Sequence, residues 1–209
     1  MRQLILLRHG QSMVNAAQQT RSIFCGQLET PLTEIGRQQA RDAGRLLADS
    51  SKFRISHAVS SALGRAAETL QLVLPYLAPQ PHRFPDDVAF NERSLGIFEG
   101  RSEDDVLQQF PEYRDDPRLS AFRADFQQKA PGGENLTEVA ARAHAGLSKL
   151  IPAVTDDLLL VAHCQTIRCL ILALTGCSPE VARHRIIPNA HPILLTEGSP
   201  GSWKLQSAD

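Results

Sequence analysis

The chain has no apolar run approaching the ~20 residues that a membrane helix requires, and no excess of charge of either sign. Lys and Arg number 22 against 23 Asp and Glu, with a pI near 6.7. No general field therefore draws in nucleic acid or a membrane surface, and any positive potential must be local. Repeats, low-complexity tracts and linker-like stretches are missing, so residues 1–209 read as a single domain. The four cysteines, Cys25, Cys164, Cys169 and Cys177, form no Cys-x-x-Cys pair and lie in apolar settings. Reduced thiols in a cytoplasmic protein are expected. The first strand starts almost at once, which leaves no room for a signal peptide. There is no His-x-His, His-x-Asp or His-Glu-x-x-His spacing and no Gly-x-x-x-x-Gly-Lys loop. Neither a metal nor another cofactor is expected. A homodimer is left open.

What the chain does have is two short segments of the same design. Residues 4–10 run Leu-Ile-Leu-Leu-Arg-His-Gly, and residues 158–168 run Leu-Leu-Leu-Val-Ala-His-Cys-Gln-Thr-Ile-Arg. Each is apolar over a strand's length and ends at a histidine with arginine nearby. A run apolar on both faces suits a buried parallel strand. Ligands of open α/β sheets bind beyond the carboxyl ends of such strands. His9 and His163 are therefore expected at the ligand-binding edge, beside Arg8 and Arg168. Two imidazoles among guanidinium groups suit a phosphoryl group, with one imidazole as nucleophile and the arginines holding anionic oxygens.

The remaining pattern alternates strands with helices. The spacing predicts a strand over 3–8, then a polar loop to about residue 32. A helix follows from Thr33, its N-cap, to about Ala48, with Ala40, Ala43 and Leu47 inward. A short strand over 55–60 leads to a helix over 63–77 that Pro75 can end early. Residues 79–86 read as a connection and Val88–Phe90 as a short strand. Residues 91–133 carry one or two short helices and form the natural cap over a site. Asn135, with Glu138 as capping-box partner, starts the next helix. Then come a strand over 158–162, a helix over 165–174 closed by Gly176, and a short helix opened by Ser178 and Pro179. Residues 192–196 and 202–206 complete the set as strands. The expected fold is an α/β three-layer sandwich, with a mostly parallel central sheet between helices and a small cap from 91–133.

Taken alone, Arg8-His9-Gly10 could be a strand-end histidine bonded in a turn. Gly10 would let backbone approach a ligand closely. The other segments change the reading. The motifs Arg8-His9-Gly10-Gln11-Ser12 with Asn15, Gly26 with Pro31-Leu32-Thr33 and Gly36, and Ser60-Ser61-Ala62-Leu63-Gly64-Arg65-Ala66 with Thr69 occur in order. They are followed by Asn91-Glu92-Arg93, Gly96, Glu99-Gly100, Pro131-Gly132-Gly133-Glu134-Asn135 and Ala162-His163. In these the chain resembles the histidine phosphatase superfamily, also called the phosphoglycerate-mutase-like family, over nearly its whole length.

The resemblance implies roles. His9 would be the nucleophile that becomes phosphohistidine, and Arg8 and Arg65 would clamp phosphate. His163 would bond the phosphoryl oxygens, and Glu92 would protonate the leaving oxygen. Asn15, Gly26, Cys164 and Gln165 would contact substrate. The chemistry agrees independently. His9 must attack through a bare nitrogen, so its other nitrogen should donate to a backbone carbonyl, and neighbouring arginines disfavour the imidazolium. Arg65 sits near a helix start, where backbone donors also favour an anion. Glu92 could otherwise cap a helix or pair with Arg93. The histidines His57, His82, His144, His184 and His191 match no motif and read as structural or surface residues.

Cys164 departs from the family's usual glycine. It could narrow the pocket or expose a thiol to oxidation. Cys177 and Arg183 have the spacing of a cysteine-dependent phosphatase, but Pro179 removes a donor and Glu180 would repel the anion. Between hydrolysis and mutase chemistry, the resembling mutases carry a lysine eleven residues past the glutamate and adjacent arginines further on. Here Glu103 stands at the first spacing, and Arg114, Arg118 and Arg123 are separated. The expected function is a phosphatase acting on a small phosphorylated metabolite. The alternative is a phosphoglycerate mutase, with a non-catalytic phospho-ligand binder behind it. Arg114, Arg118 and Arg123 could read a carboxylate or second phosphate. Phe98, Phe110, Phe122, Phe126 and Tyr113 could line an apolar pocket.

Overall fold

The computed structural model describes residues 2–18, 22–199 and 201–206. Its centre is a six-stranded sheet in the order β3-β2-β4-β1-β5-β6. The strands are β1 (Gln3–Arg8), β2 (Ile55–Ser60), β3 (His82–Arg83), β4 (Asp157–Ala162), β5 (Pro192–Glu197) and β6 (Trp203–Leu205). Strands β3, β2, β4 and β1 run parallel, and β5 and β6 complete one edge antiparallel.

The apolar runs fill both faces of this sheet, because successive side chains point to opposite sides. Leu4, Leu6, Leu158 and Leu160 pack with Ala143, Leu147, Ile167 and Leu170. Those partners lie on helices α6 (Leu136–Leu150) and α7 (Cys164–Thr175). Ile5, Leu7, Leu159 and Val161 pack on the other face with Ala43, Leu47, Ala66 and Leu70. These belong to α2 (Glu34–Asp49) and α3 (Gly64–Val73). Local chemistry sets the helix ends. Thr33 accepts from the Gly36 N–H, and Asn135 and Glu138 form a reciprocal capping box. Gly176 takes the left-handed conformation after α7, at φ +67°.

Several expectations need correction. The loop after β1 contains a short helix, α1 (Met13–Ala17), nucleated by Ser12 and Asn15 capping each other's backbone. Residues 79–86 include the two-residue strand β3. Val88–Phe90 is a 3-10 turn and not a strand, because Asp87 accepts from the Ala89 N–H at 2.8 Å and bends the chain. The 63–77 helix is α3 followed by a separate 3-10 turn around Pro75.

The cap carries α4 (Glu103–Gln109) and α5 (Arg118–Ala121), with α8 (Pro179–His184) further along the chain. Its aromatic residues are spent on packing, and among the described residues none of them lines the main cavities. Phe98, Phe110, Tyr113 and Phe122 pack on one another and on Phe24 as a separate small core, while Phe126 joins Leu136 and Val139. Burial of Phe24 and Phe98 ties the cap to the loop after α1. No helix among the described residues is long and apolar enough to cross a membrane.

Candidate active site

The sheet register builds the site. Arg8 pairs with Ala162 across β1 and β4, so His9 and His163 follow side by side, and the His9 N–H closes on the Ala162 carbonyl at 3.0 Å. Ser60 pairs with Val161 across β2 and β4, which brings Ser61 level with them. The two imidazole centroids are 5.0 Å apart. A cleft of about 230 Å³ opens above this edge, lined by Arg8, His9, Asn15, Arg65, Glu92, Cys164 and Gln165 among others.

His9 is held on every side. Its Nδ1 lies 2.7 Å from the Gly10 carbonyl, which can only accept, so Nδ1 carries the proton. Its Nε2 lies 3.3 Å from Arg65 Nε, a donor, so Nε2 offers a lone pair. Burial first, then the charges of Arg65 and Arg8, hold its pKa well below 6.5, so the ring is neutral. Asn189 donates to the His9 carbonyl at 2.8 Å and fixes the backbone. Gly10 has a different use from the expected one. A Cβ there would meet the Gly36 carbonyl oxygen at 2.2 Å, so glycine is required for the loop to pack on the first turn of α2, not for approach to a ligand.

Arg65 is 3% exposed. Its Nη1 and Nη2 donate to the carbonyls of Leu28 at 2.8 Å and Gly26 at 2.7 Å. The loop carrying those carbonyls is itself tied down by Glu99, which accepts from the N–H groups of Gly26, Gln27 and Leu95 at 2.8–2.9 Å. Gly26 thus spends its N–H on Glu99 and its carbonyl on Arg65. It supports the arginine and does not itself face the cleft, which corrects its assignment as a substrate contact.

Arg8 donates through Nη1 to the Ile187 carbonyl at 2.9 Å, and its buried Nε has no partner. Arg168 does not join the site. It lies a turn into α7 and donates twice to the Arg185 carbonyl, at 2.7 and 2.9 Å. Asn15 reaches the cleft from α1, and Cys164 and Gln165 from the first turn of α7. Burial raises the Cys164 and Cys25 thiols, the latter to about 11, so both stay protonated and poorly reactive at neutral pH. Cys177 lies in the connection before α8 and Arg183 within that helix, and neither lines the cleft.

Glu92 combines two of the readings open to it. Its carboxylate lines the cleft and also accepts from the N–H groups of Gln165 (3.1 Å) and Thr166 (3.2 Å), capping α7, and from that of Arg93 (3.0 Å). Arg142 clamps the backbone before it, donating to the carbonyls of Ala89 and Glu92 and to both oxygens of Glu134.

Other residues of the site had no assigned role in the sequence, apart from Arg123, one of the separated cap arginines expected to read a carboxylate or second phosphate. Ser61, Thr69 and Asn91 stood in motifs but gave no hint of what they touch. Thr69 accepts from the Gly10 N–H and donates to the Arg65 carbonyl. Cys25, Arg93 and Arg123 reach the cleft only through the fold. Arg93 is 2% exposed, and its Nη1 has no partner. Arg123 stacks 3.7 Å over the Phe24 ring and meets Glu103 at 3.5 Å. Among the described residues, no group of three or more His, Cys, Asp or Glu could hold a metal ion. Chemically, the arrangement offers a bare imidazole nitrogen, guanidinium groups around it and a carboxyl group opposite, which suits transfer of an anionic group through a nitrogen-bound intermediate.

Comparison with known proteins agrees with this geometry. A family model described as histidine phosphatase superfamily (branch 1) matches residues 4–208. A 2,3-bisphosphoglycerate-dependent phosphoglycerate mutase from Azorhizobium caulinodans is 34% identical over 202 residues, covering 95% of this chain and 93% of that protein. The enzyme of the same name from Brucella anthropi is 36% identical over 183 residues, covering 86% and 84%. A mycobacterial glucosyl-3-phosphoglycerate phosphatase, solved with VO3, superposes with a TM-score of 0.78 at 29% identity, covering 99% of this chain and 98% of the other. The alpha-ribazole phosphatase of Shigella flexneri gives 0.79 at 26% identity, covering 98% and 94%.

Proposed function

The chain belongs to the histidine phosphatase superfamily, and from that membership we propose that it hydrolyses small phosphomonoesters through a phosphohistidine on His9. The observation that carries this is the His9 tautomer, with Nδ1 proton-bonded to Gly10 and a bare Nε2 against Arg65. In the first step the Nε2 lone pair attacks phosphorus. The bond to the ester oxygen breaks, and a proton from Glu92 goes to that oxygen. In the second step water attacks the phosphohistidine and gives its proton to the Glu92 carboxylate, and phosphate leaves with His9 neutral again. Arg8, Arg65 and His163 hold the transferring oxygens, and Asn15, Cys164 and Gln165 complete the binding surface. Positive charge from arginine supplies what a metal ion would otherwise contribute.

The substrate we infer carries a second acidic group. A buried guanidinium nitrogen without a partner is costly, and Arg93, a residue lining the cleft, has its Nη1 in that state, while the weakly paired Arg123 lines the same cleft. A carboxylate or second phosphate on the substrate would complete both. Mutase activity is the second reading, favoured by the mutases among the relatives. Against it, Glu103 meets Arg123, so the cap offers an acidic residue where a transfer enzyme for phosphoglycerates would add positive charge.

Assaying a panel of phosphorylated metabolites for released phosphate, with and without bisphosphoglycerate and with EDTA, tests both readings. Phosphate release that survives EDTA is expected, fastest for esters with a second acid. Isomerisation of phosphoglycerate that exceeds phosphate release would establish the mutase instead. Activity lost in EDTA and restored by a divalent ion would reject the mechanism.

A further inference from the structure

The two imidazoles at the sheet edge, His9 lining the cleft and His163 buried beside it, are held in opposite tautomers. For His163 the assignment follows from hydrogen bonds that begin at a group with only one possible direction. The Ala62 N–H donates to Asn91 Oδ1 at 3.0 Å, so that side-chain atom is the oxygen and can only accept. Ser61 Oγ lies 2.8 Å from the same oxygen, so its single proton points there. Leu63 N–H donates to the hydroxyl at 3.1 Å. Ser61 therefore meets His163 Nε2, 2.8 Å away, with a lone pair, and Nε2 must carry a proton. The Nδ1 of a neutral ring then carries none. His163 is fully buried, and Nδ1 has no partner.

The ionisable groups around this ring come from every neighbouring element. Arg8 and His9 end β1, Arg65 stands on α3 and Arg142 on α6, and all oppose an imidazolium, after burial itself. Glu92 caps α7 immediately beyond, and Cys164 is the next residue.

We propose that Ser61 and Asn91 are positioning residues that keep His163 a proton acceptor at Nδ1 in the ligand-free cleft, so that a phosphoryl group binds there together with one proton. The proposal rests on the reading of His163 as a contact to the phosphoryl oxygens. A phosphomonoester has a second pKa of about 6. As the monoanion it brings the proton on an oxygen and shares it with Nδ1. As the dianion it binds with one proton from solvent, which settles on Nδ1, and the new imidazolium faces the anion. Both routes reach the same complex. Arg8, Arg65 and Arg142 disfavour a standing imidazolium, so the proton enters with the anion and leaves with the product.

Calorimetric titration with inorganic phosphate, in buffers of different ionisation enthalpy, counts protons taken up on binding. The wild-type chain should take up about one proton per phosphate at about pH 8, where the ligand is mainly the dianion, and close to none at about pH 5.5. In Ser61→Ala the proton is free to move to Nδ1, so the neutral ring can donate and the uptake at the higher pH should fall toward zero. Ser61→Thr keeps the hydroxyl and should keep the uptake. Weaker binding in Ser61→Ala at every pH, with the uptake unchanged, would mean that Ser61 only packs and would overturn the proposal. If Ser61→Ala does not fold, nitrogen NMR of the ligand-free wild type decides: a protonated Nε2 and bare Nδ1 on His163 support the proposal, and a protonated Nδ1 overturns it. Trapping phosphate on His9 reports separately on the underlying reading. A labelled His9 with no proton uptake would reject this inference and leave the phosphohistidine route standing.

Discussion

The two walls of the cleft are built to different standards. On the sheet-edge wall, His9 and Arg65 have their hydrogen-bonding directions set by backbone carbonyls, and His163 is anchored through Ser61. On the cap wall, Arg93 has an unpartnered buried nitrogen and Arg123 has a long contact to Glu103. The aromatic residues behind that wall are spent on holding the cap together. On the proposed function, the contrast separates chemistry from recognition. Groups that must act on every phosphoryl transfer are oriented before substrate arrives. On that same reading, the sheet-edge wall leaves its open positions, Arg8 Nε and His163 Nδ1, to the phosphoryl group, and the cap wall leaves Arg93 Nη1 to the rest of the substrate.

Substitutions on the two walls should therefore fail differently. As the proposed general acid, Glu92 serves only the leaving oxygen, so Glu92→Gln should slow hydrolysis of alkyl phosphates by about 10²–10⁴-fold, in line with loss of a general acid. p-Nitrophenyl phosphate, whose leaving group departs without a proton, should lose far less. Equal losses would make Glu92 only the cap of α7. Arg65→Ala should cost about 3–4 kcal/mol of transition-state stabilisation with every substrate, the scale of losing one preorganised donor. A penalty that varies with the leaving group would put Arg65 in recognition.

The sheet-edge wall also carries a cost in acid. His9 and His163 have pKa values lowered by burial, so below pH 6.5 the unfolded chain binds more protons than the folded one. Stability should be full above that pH and decline as pH falls toward the folded-state values, by about 1.4 kcal/mol per pH unit for each histidine. Denaturant unfolding across that range checks it, and a flat profile would mean that these rings are charged in the fold. The smallest effect is expected on the cap wall. Arg123→Ala should raise KM by about tenfold for esters with a second acidic group, or ~1.4 kcal/mol, and change p-nitrophenyl phosphate less. Equal change in both would remove Arg123 from substrate reading.

How much of this was legible in the sequence follows the same division. Strands β1 and β4 were plain because both faces are buried, and α2 and α6 because Thr33 and Asn135 cap them. The histidine pair followed from the strand ends, and the Gly10 carbonyl bond from the need for a bare nitrogen. The two-residue β3 has too few positions to show a period. Val88–Phe90 has strand-like residues, but the Asp87 side chain decides its turn. Arg168 was misplaced because proximity in sequence to His163 ignored the rotation of α7. Arg93 and Arg123 carry no mark of their partners, since Phe24, Glu103 and the cleft meet only after the cap folds. Ser61 and Asn91 were visible as motif residues, but the direction of their hydrogen bonds depends on the Ala62 backbone.

The most direct test of the central claim is to quench the wild-type chain during turnover of a phosphate-labelled ester and map the label after denaturation. The account predicts an acid-labile, base-stable phosphoryl group on His9, absent from a folded and inactive His9→Ala. Label on a cysteine, or continued hydrolysis by His9→Ala, would contradict it.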